Sequence, residues 1–298
     1  MINFETTTAA PVVTNVPTLT SSLRLVELSI SVWSGRKQDK NATASAALAN
    51  NTRKDLLNTT KKLLGDCEEL EAIRKFAANA RNFMYGCTSA WGDLGQRALP
   101  FVRFPQFHKE ITGLQAEFDQ LVNNFLSVYD YRKSIVQAEL GALWNPDEYP
   151  DANTLRDKFR FSIAYPPVPE ANIFSAVQDE AERYLRDEYA KVYTERIEAT
   201  MREIWYRVYE SLKKMSERLD YQGKEDKKKF HDTLVSNVRD LAALLPDFNV
   251  TNDARMTSLH AALDQTLSGV TPDALREDDM LRAQTKARVD AVLKNMSW

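Results

Sequence analysis

Lysine and arginine offer the most concentrated chemistry in this chain. Lys224, Lys227, Lys228 and Lys229 stand together in one short run, diluted by Glu225 and Asp226. The run falls at a predicted tip between two helices, where ammonium groups reach phosphates or an acidic partner. A solvated turn accounts for the same residues. A second cluster, Ser34-Gly35-Arg36-Lys37-Gln38-Asp39-Lys40, follows a predicted strand beside Trp33. There Arg36, Lys37 and Lys40 would occupy a strand-to-helix corner, as a contact site for phosphate or partner or as a helix start with its cations in water.

Catalytic patterns are sparse. The sequence has no Gly-Lys-Ser/Thr phosphate loop, no Gly-x-Ser-x-Gly elbow and no His-Glu-x-x-His helix. His108, His231 and His260 fall on three separate predicted helices and show no ligand spacing. Glu68, Glu69 and Glu71 would open a helix, where the macrodipole favours negative charge. Glu277-Asp278-Asp279 reads as the solvated face of a longer helix. Gly92-Asp93-Leu94-Gly95 resembles a backbone-clamping Gly-x-x-Gly loop, but an aspartate stands where such loops carry a cation. Cys67 and Cys87 are too few for a disulfide framework and lack the companions a zinc site needs. The expectation is a protein without catalytic residues, metal or cofactor. An enzyme with an unfamiliar site, using the Gly86–Pro105 loop with Asp93 and the Tyr149-Pro150-Asp151 turn, is a third reading.

The elements that must position these groups are mostly helical. Leu28, Ile30 and Val32 alternate with Glu27, Ser29 and Ser31, the period-two signal of a strand over 23–33. The spacing predicts helices over about 38–64 and 67–85, forming an antiparallel hairpin. Residues 86–105 read as an irregular loop pinned by Trp91, Leu99, Phe101 and Phe104. Phe107, Ile111, Leu114, Phe118, Leu121, Phe125 and Val128 then step four and three, the a/d seam of a heptad helix. Phe159, Phe161 and Ile163 mark a second strand, expected to pair with the first. Met201, Trp205, Val208, Leu212, Met215 and Leu219 repeat the seam in a helix over about 176–219. Helices over 230–245, 253–267 and 272–296 follow, the last opened by Thr271-Pro272.

Composition sets bounds on these readings. The 298 residues carry a net charge of −3, so a nucleic-acid site would have to be local. No run approaches the ~20 apolar residues of a membrane span. The first 22 residues, rich in Thr, Val, Ala and Pro, lack the charged and apolar regions of a signal peptide and read as a flexible arm. Residues 23–298 are expected to form a single elongated helical domain, with a sub-boundary near 166–175.

Several segments in order, Leu28-Ser29-Ile30-Ser31-Val32-Trp33-Ser34-Gly35-Arg36-Lys37-Gln38-Asp39, Leu99-Pro100, Tyr149-Pro150-Asp151, Lys158-Phe159-Arg160-Phe161, Pro167-Val168-Pro169 and Leu244-Leu245-Pro246, resemble a bacteriophage and prophage family of unknown function. The resemblance implies a phage-encoded protein in the host bacterial cytoplasm. It also implies gene neighbours of the MoxR-like AAA+ ATPase type, and hence a role as adaptor or substrate of a remodelling machine. No catalytic residues come with it.

Together these readings give a mainly α fold: long antiparallel helical hairpins with heptad packing, plus a small two-stranded antiparallel β-ribbon. The expected function is a non-enzymatic interaction or adaptor protein acting on a phage or host protein complex. An AAA+ ATPase or a host defence protein is the expected partner, with homo-oligomerisation through the heptad helices as a further expectation. The alternative is a nucleic-acid-associated protein of phage replication, recombination or defence evasion.

Overall fold

A computed structural model describes residues 22–92, 95–167, 180–221, 231–296 and 298. The fold is mainly helical with a small antiparallel sheet. No described helix is long and apolar enough to cross a membrane. The chain divides into two compact units. One gathers residues up to Val26, Thr88–Phe104 and Tyr165–Trp298; the other holds Glu27–Cys87 and Pro105–Ala164.

In the second of these units the expected strand pair is present. Strand β1 (Leu23–Ser31) runs from Glu27 to Ser31 against a later strand, Arg160–Ala164, with Glu27 opposite Ala164 and Ser31 opposite Arg160. Phe161 is buried while Arg160 and Ser162 are exposed, as the alternation requires.

The predicted helix over 38–64 does not form as one element. Its place is taken by β2 (Arg36–Gln38), α1 (Lys40–Ala49), a 3-10 turn at Lys54–Leu56 and β3 (Thr60–Lys62). Asp39 caps α1 by accepting from Asn41 N and Ala42 N. The helix stops because Asn50 and Asn51 follow, and Asn51 adopts a left-handed φ of 51° that asparagine tolerates better than most residues. Only Thr43 and Ala47 of α1 are buried, so no apolar face holds it longer.

Helix α2 (Glu68–Cys87) buries Leu70, Ile73, Ala77, Ala80 and Met84 along one stripe. In the unit of Thr88–Phe104, the stretch read as an irregular loop contains β4 (Ser89–Ala90) and β5 (Arg97–Pro100). The latter pairs with the start of β1, Leu23 opposite Pro100 and Val26 opposite Arg97. The β-structure therefore exceeds the two strands expected, because such short strands carry too few residues to show a period. Trp91 and Leu99 are buried as predicted, but Phe101 is exposed.

Helix α3 (Phe104–Leu140) buries Phe107, Ile111, Phe118 and Phe125. Past Phe118 the buried stripe takes Val122, Tyr129 and Val136, the first two one position beyond the predicted Leu121 and Val128. A helix of 3.6 residues per turn drifts by ~20° per heptad, which produces this slip. Trp33 packs against Phe125 and Tyr129 with ring centroids 6.3 and 6.1 Å away. Asp151 caps α4 (Ala152–Arg156), and Arg160–Ala164 completes the unit as β6.

The other unit is organised on α5 (Glu180–Leu219). All six seam residues, Met201, Trp205, Val208, Leu212, Met215 and Leu219, are buried, and Ile197 and Ile204 join them. Packed on α5 are α6 (Thr233–Ala242), α7 (Leu245–Phe248) and, beyond α8 (Ala254–Leu267) and α9 (Pro272–Glu277), helix α10 (Asp279–Asn295). Pro246 sits in the first turn of α7, where its missing N–H costs nothing. Thr271 caps α9 as predicted, accepting from Ala274 N. The predicted 272–296 helix is divided at Asp278, which is extended and caps α10 through Met280 N and Leu281 N.

Candidate functional site

The corner after β1 is built by a glycine. Gly35 holds φ at +56°, and its carbonyl accepts from Leu63 N at 2.8 Å, closing the mouth of the β2–β3 ribbon. The antiparallel register places Arg36 opposite Lys62 and Lys37 opposite Lys61. Like charges across a ladder destabilise it, so the pairing needs a counterweight.

Lys61 supplies it. Its ammonium is almost buried, lies 2.7 Å from Glu148 Oε2 and 3.3 Å from Asp39 Oδ2, and donates to the Leu143 carbonyl at 2.6 Å. The Glu148 contact is a charge pairing at an angle that leaves that oxygen without an aligned hydrogen bond. Burial pulls the Lys61 pKa down, but the two carboxylates outweigh it and raise the pKa above the ordinary lysine value. Asp39 titrates below its usual range, first because Ala42 N donates to it and then because of Lys61.

The remaining cations face water. Arg36, Lys37 and Lys62 are exposed on the ribbon, and Lys40 is exposed in the first turn of α1, where the helix dipole disfavours positive charge. Between Ser34 and Lys62 the chain carries Arg36, Lys37, Lys40, Arg53, Lys54, Lys61 and Lys62 against only Asp39 and Asp55. In a chain of net charge −3 this is a local basic field. Arg53 is engaged by Asp55 at 2.5 Å.

A cleft of about 570 Å³ opens beside the ribbon at the start of α2. Lys62 is paired with Asp66 at 2.7 Å, and Arg74 with Glu71 at 3.2 Å. Arg36 and Lys75 line the same cleft without a carboxylate partner among the described residues. Cys67 lies there too, buried, its pKa raised chiefly by that burial, so it is a thiol and not a nucleophilic thiolate.

The other sequence candidates fare differently. Lys224, Lys227, Lys228 and Lys229 lie outside the described residues, as does Asp93 between Gly92 and Gly95. His108 is exposed on α3, His231 precedes α6, and His260 on α8 stands 3.7 Å from Asp264. Among the described residues no His, Cys, Asp and Glu groups are placed to hold a metal. The Tyr149-Pro150-Asp151 turn is committed to structure: Tyr149 donates to Leu63 O at 2.7 Å, Pro150 O accepts from Tyr129 at 2.9 Å, and Asp151 caps α4. Glu69 of the acidic run pairs with Arg132 at 3.1 Å. Glu277, Asp278 and Asp279 are exposed as expected, and Asp279 also holds the buried guanidinium of Arg282.

Sequence reasoning placed Arg36, Lys37 and Lys40 at a corner but missed that Lys61 and Lys62 return beside them. Thr59-Thr60 just ahead of the lysine pair is the one signal, a β-branched start to a short strand. No family model, curated protein or solved structure matches the chain.

Proposed function

We propose that this chain is a non-enzymatic interaction protein, a phage-encoded adaptor acting on a phage or host protein complex in the bacterial cytoplasm. The observation that carries this reading is the basic corner, a rigid ribbon anchored by Lys61 that turns Arg36, Lys37, Lys40 and Lys62 to solvent. Cations on a fixed scaffold recognise an anionic surface without performing chemistry on it. The resemblance of the sequence to a phage family supports the setting, with an AAA+ ATPase or a host defence protein as partner. On this reading the heptad seams of α3 and α5 close within one chain and not between chains, and light scattering that returns a monomer mass is the expected result.

The same cations favour a second reading, binding to nucleic-acid phosphate. Tagged protein retained from nuclease-treated host cells separates the two, when wild type is compared with Arg36→Glu/Lys37→Glu/Lys40→Glu. A stoichiometric protein partner that the triple variant loses is the expected result. Binding of duplex DNA that weakens steeply with salt and vanishes in the variant would replace the adaptor reading with the nucleic-acid one.

A further inference from the structure

A second concave surface lies in the unit organised on α5 and owes nothing to the basic corner. Helices α8 and α10 flank a groove of about 840 Å³. One wall carries Ala254, Ser258 and Ala262 at four-residue spacing, one above the other on a single helix face, and the other wall carries Ala291. Side chains this short allow a second backbone to come close. The groove has an apolar side as well, formed by half-buried Val292 and Met296 over the buried Trp205 and Leu259, with Trp298 edge-on to Trp205 at 5.6 Å.

Its charge is one-sided. Arg255 and Arg288 line it and no carboxylate does. Asp253 holds Arg255 at 2.6 Å, and the Arg255 guanidinium lies 4.4 Å from the centre of the Trp298 ring. Arg288 has no such partner among the described residues. The cleft beside the ribbon differs, being lined by Asp66, Glu68 and Glu71 as well as by cations.

The geometry points to this groove as the seat of a short amphipathic helix of a partner protein, its apolar face on Val292 and Met296 and a carboxylate on Arg288. Ala254, Ser258 and Ala291 are exposed, so the groove is an open trough. A small ligand seeks enclosure over most of its surface, whereas a helix laid in a groove buries one face only. Arginine pairs with carboxylate in two parallel hydrogen bonds, which fixes the register of the incoming helix.

Displayed libraries of helical peptides of about 12 residues, one fixed acidic and one fixed basic with variable apolar positions, test this on the full chain. The acidic library enriches, and a labelled peptide selected from it binds with a Kd on the order of micromolar. Arg288→Glu and Ser258→Trp each weaken that peptide about tenfold or more while circular dichroism is unchanged. Arg36→Glu/Lys37→Glu leaves it unaffected, which separates this site from the adaptor reading of the corner. Should either groove variant unfold, Arg288→Gln and Ala291→Gln carry the test with the same expected direction. Equal enrichment of the basic library, no enrichment of either, or binding indifferent to the groove variants overturns the inference. So does displacement of a fluorescent acyl probe by laurate without any selected peptide, which would make the groove a site for small amphipathic anions.

Discussion

Replacing Gly35 by alanine tests whether the basic corner is as rigid as its geometry requires. Two costs add. An alanine at φ +56° pays about 1–2 kcal/mol for the left-handed conformation, offset by less than about 1 kcal/mol from the stiffer unfolded chain. The new Cβ would also stand 2.7 Å from Leu70 Cδ2 and 3.6 Å from the Trp33 ring. Leu70 is only 3% exposed and cannot withdraw freely, so overpacking adds about 1–2 kcal/mol. The expected total is a loss of about 2–3 kcal/mol in urea unfolding. Gly141→Ala is the control, because Gly141 holds φ +50° with nothing within 4 Å of its Cβ position. It should lose only about 1 kcal/mol. Both are read by urea titration with tryptophan emission and circular dichroism, requiring equal slopes. If the two variants fall within about 0.5 kcal/mol of each other, the packing of Leu70 against Gly35 does not constrain the corner and the reasoning fails.

Phe125 is fully buried between Trp33, Tyr129 and Phe159, so Phe125→Ala should cost about 3–5 kcal/mol and red-shift tryptophan emission; a cost under ~1 kcal/mol would contradict that packing. Asp278→Ala should destabilise by about 1 kcal/mol and Asp278→Asn much less, seen by thermal melting, since asparagine also caps. Tyr129 and Tyr149 are pushed up to about 12 from 10.0, in each case first by burial. The folded state thus holds these protons more tightly than the unfolded one, and their stabilisation is complete below pH 10 and lost as pH rises toward 12. Phenolate absorbance should show these two tyrosines titrating last, together with unfolding; early titration of both would refute their burial.

Legibility followed length. The stripe of α5 was readable because its side chains repeat over many turns, and β1 because alternation and β-branching agree. Residues 38–64 misled because Ala-rich composition suggests helix at every position, while the stop is set by Asn50, the left-handed backbone of Asn51 and the lack of a buried apolar face. The break at Asp278 was hidden for a related reason: an acidic triplet reads as solvated surface unless one knows that Asp278 caps and Asp279 holds Arg282. At the candidate site the cations after β1 were legible, but their neighbours across the ladder were not. Contacts such as Lys61 to Glu148, distant in sequence, leave no local pattern. The groove between α8 and α10 was invisible, since small residues signal nothing until two helices are set side by side.

The burial of Lys61 has a consequence for how β2 finds β3. Both strands are polar on either side, so no apolar face chooses the alignment, and ribbons of this kind are prone to slip. A shift by one residue would bring Thr60 or Lys62 to the place of Lys61 and turn Lys61 to water. Glu148 and Asp39 would then face each other's charge with a hydroxyl or a misdirected ammonium between them. The ion triad thus acts as a key that fits at one setting only, and it selects which cations of the ribbon are left to meet a partner.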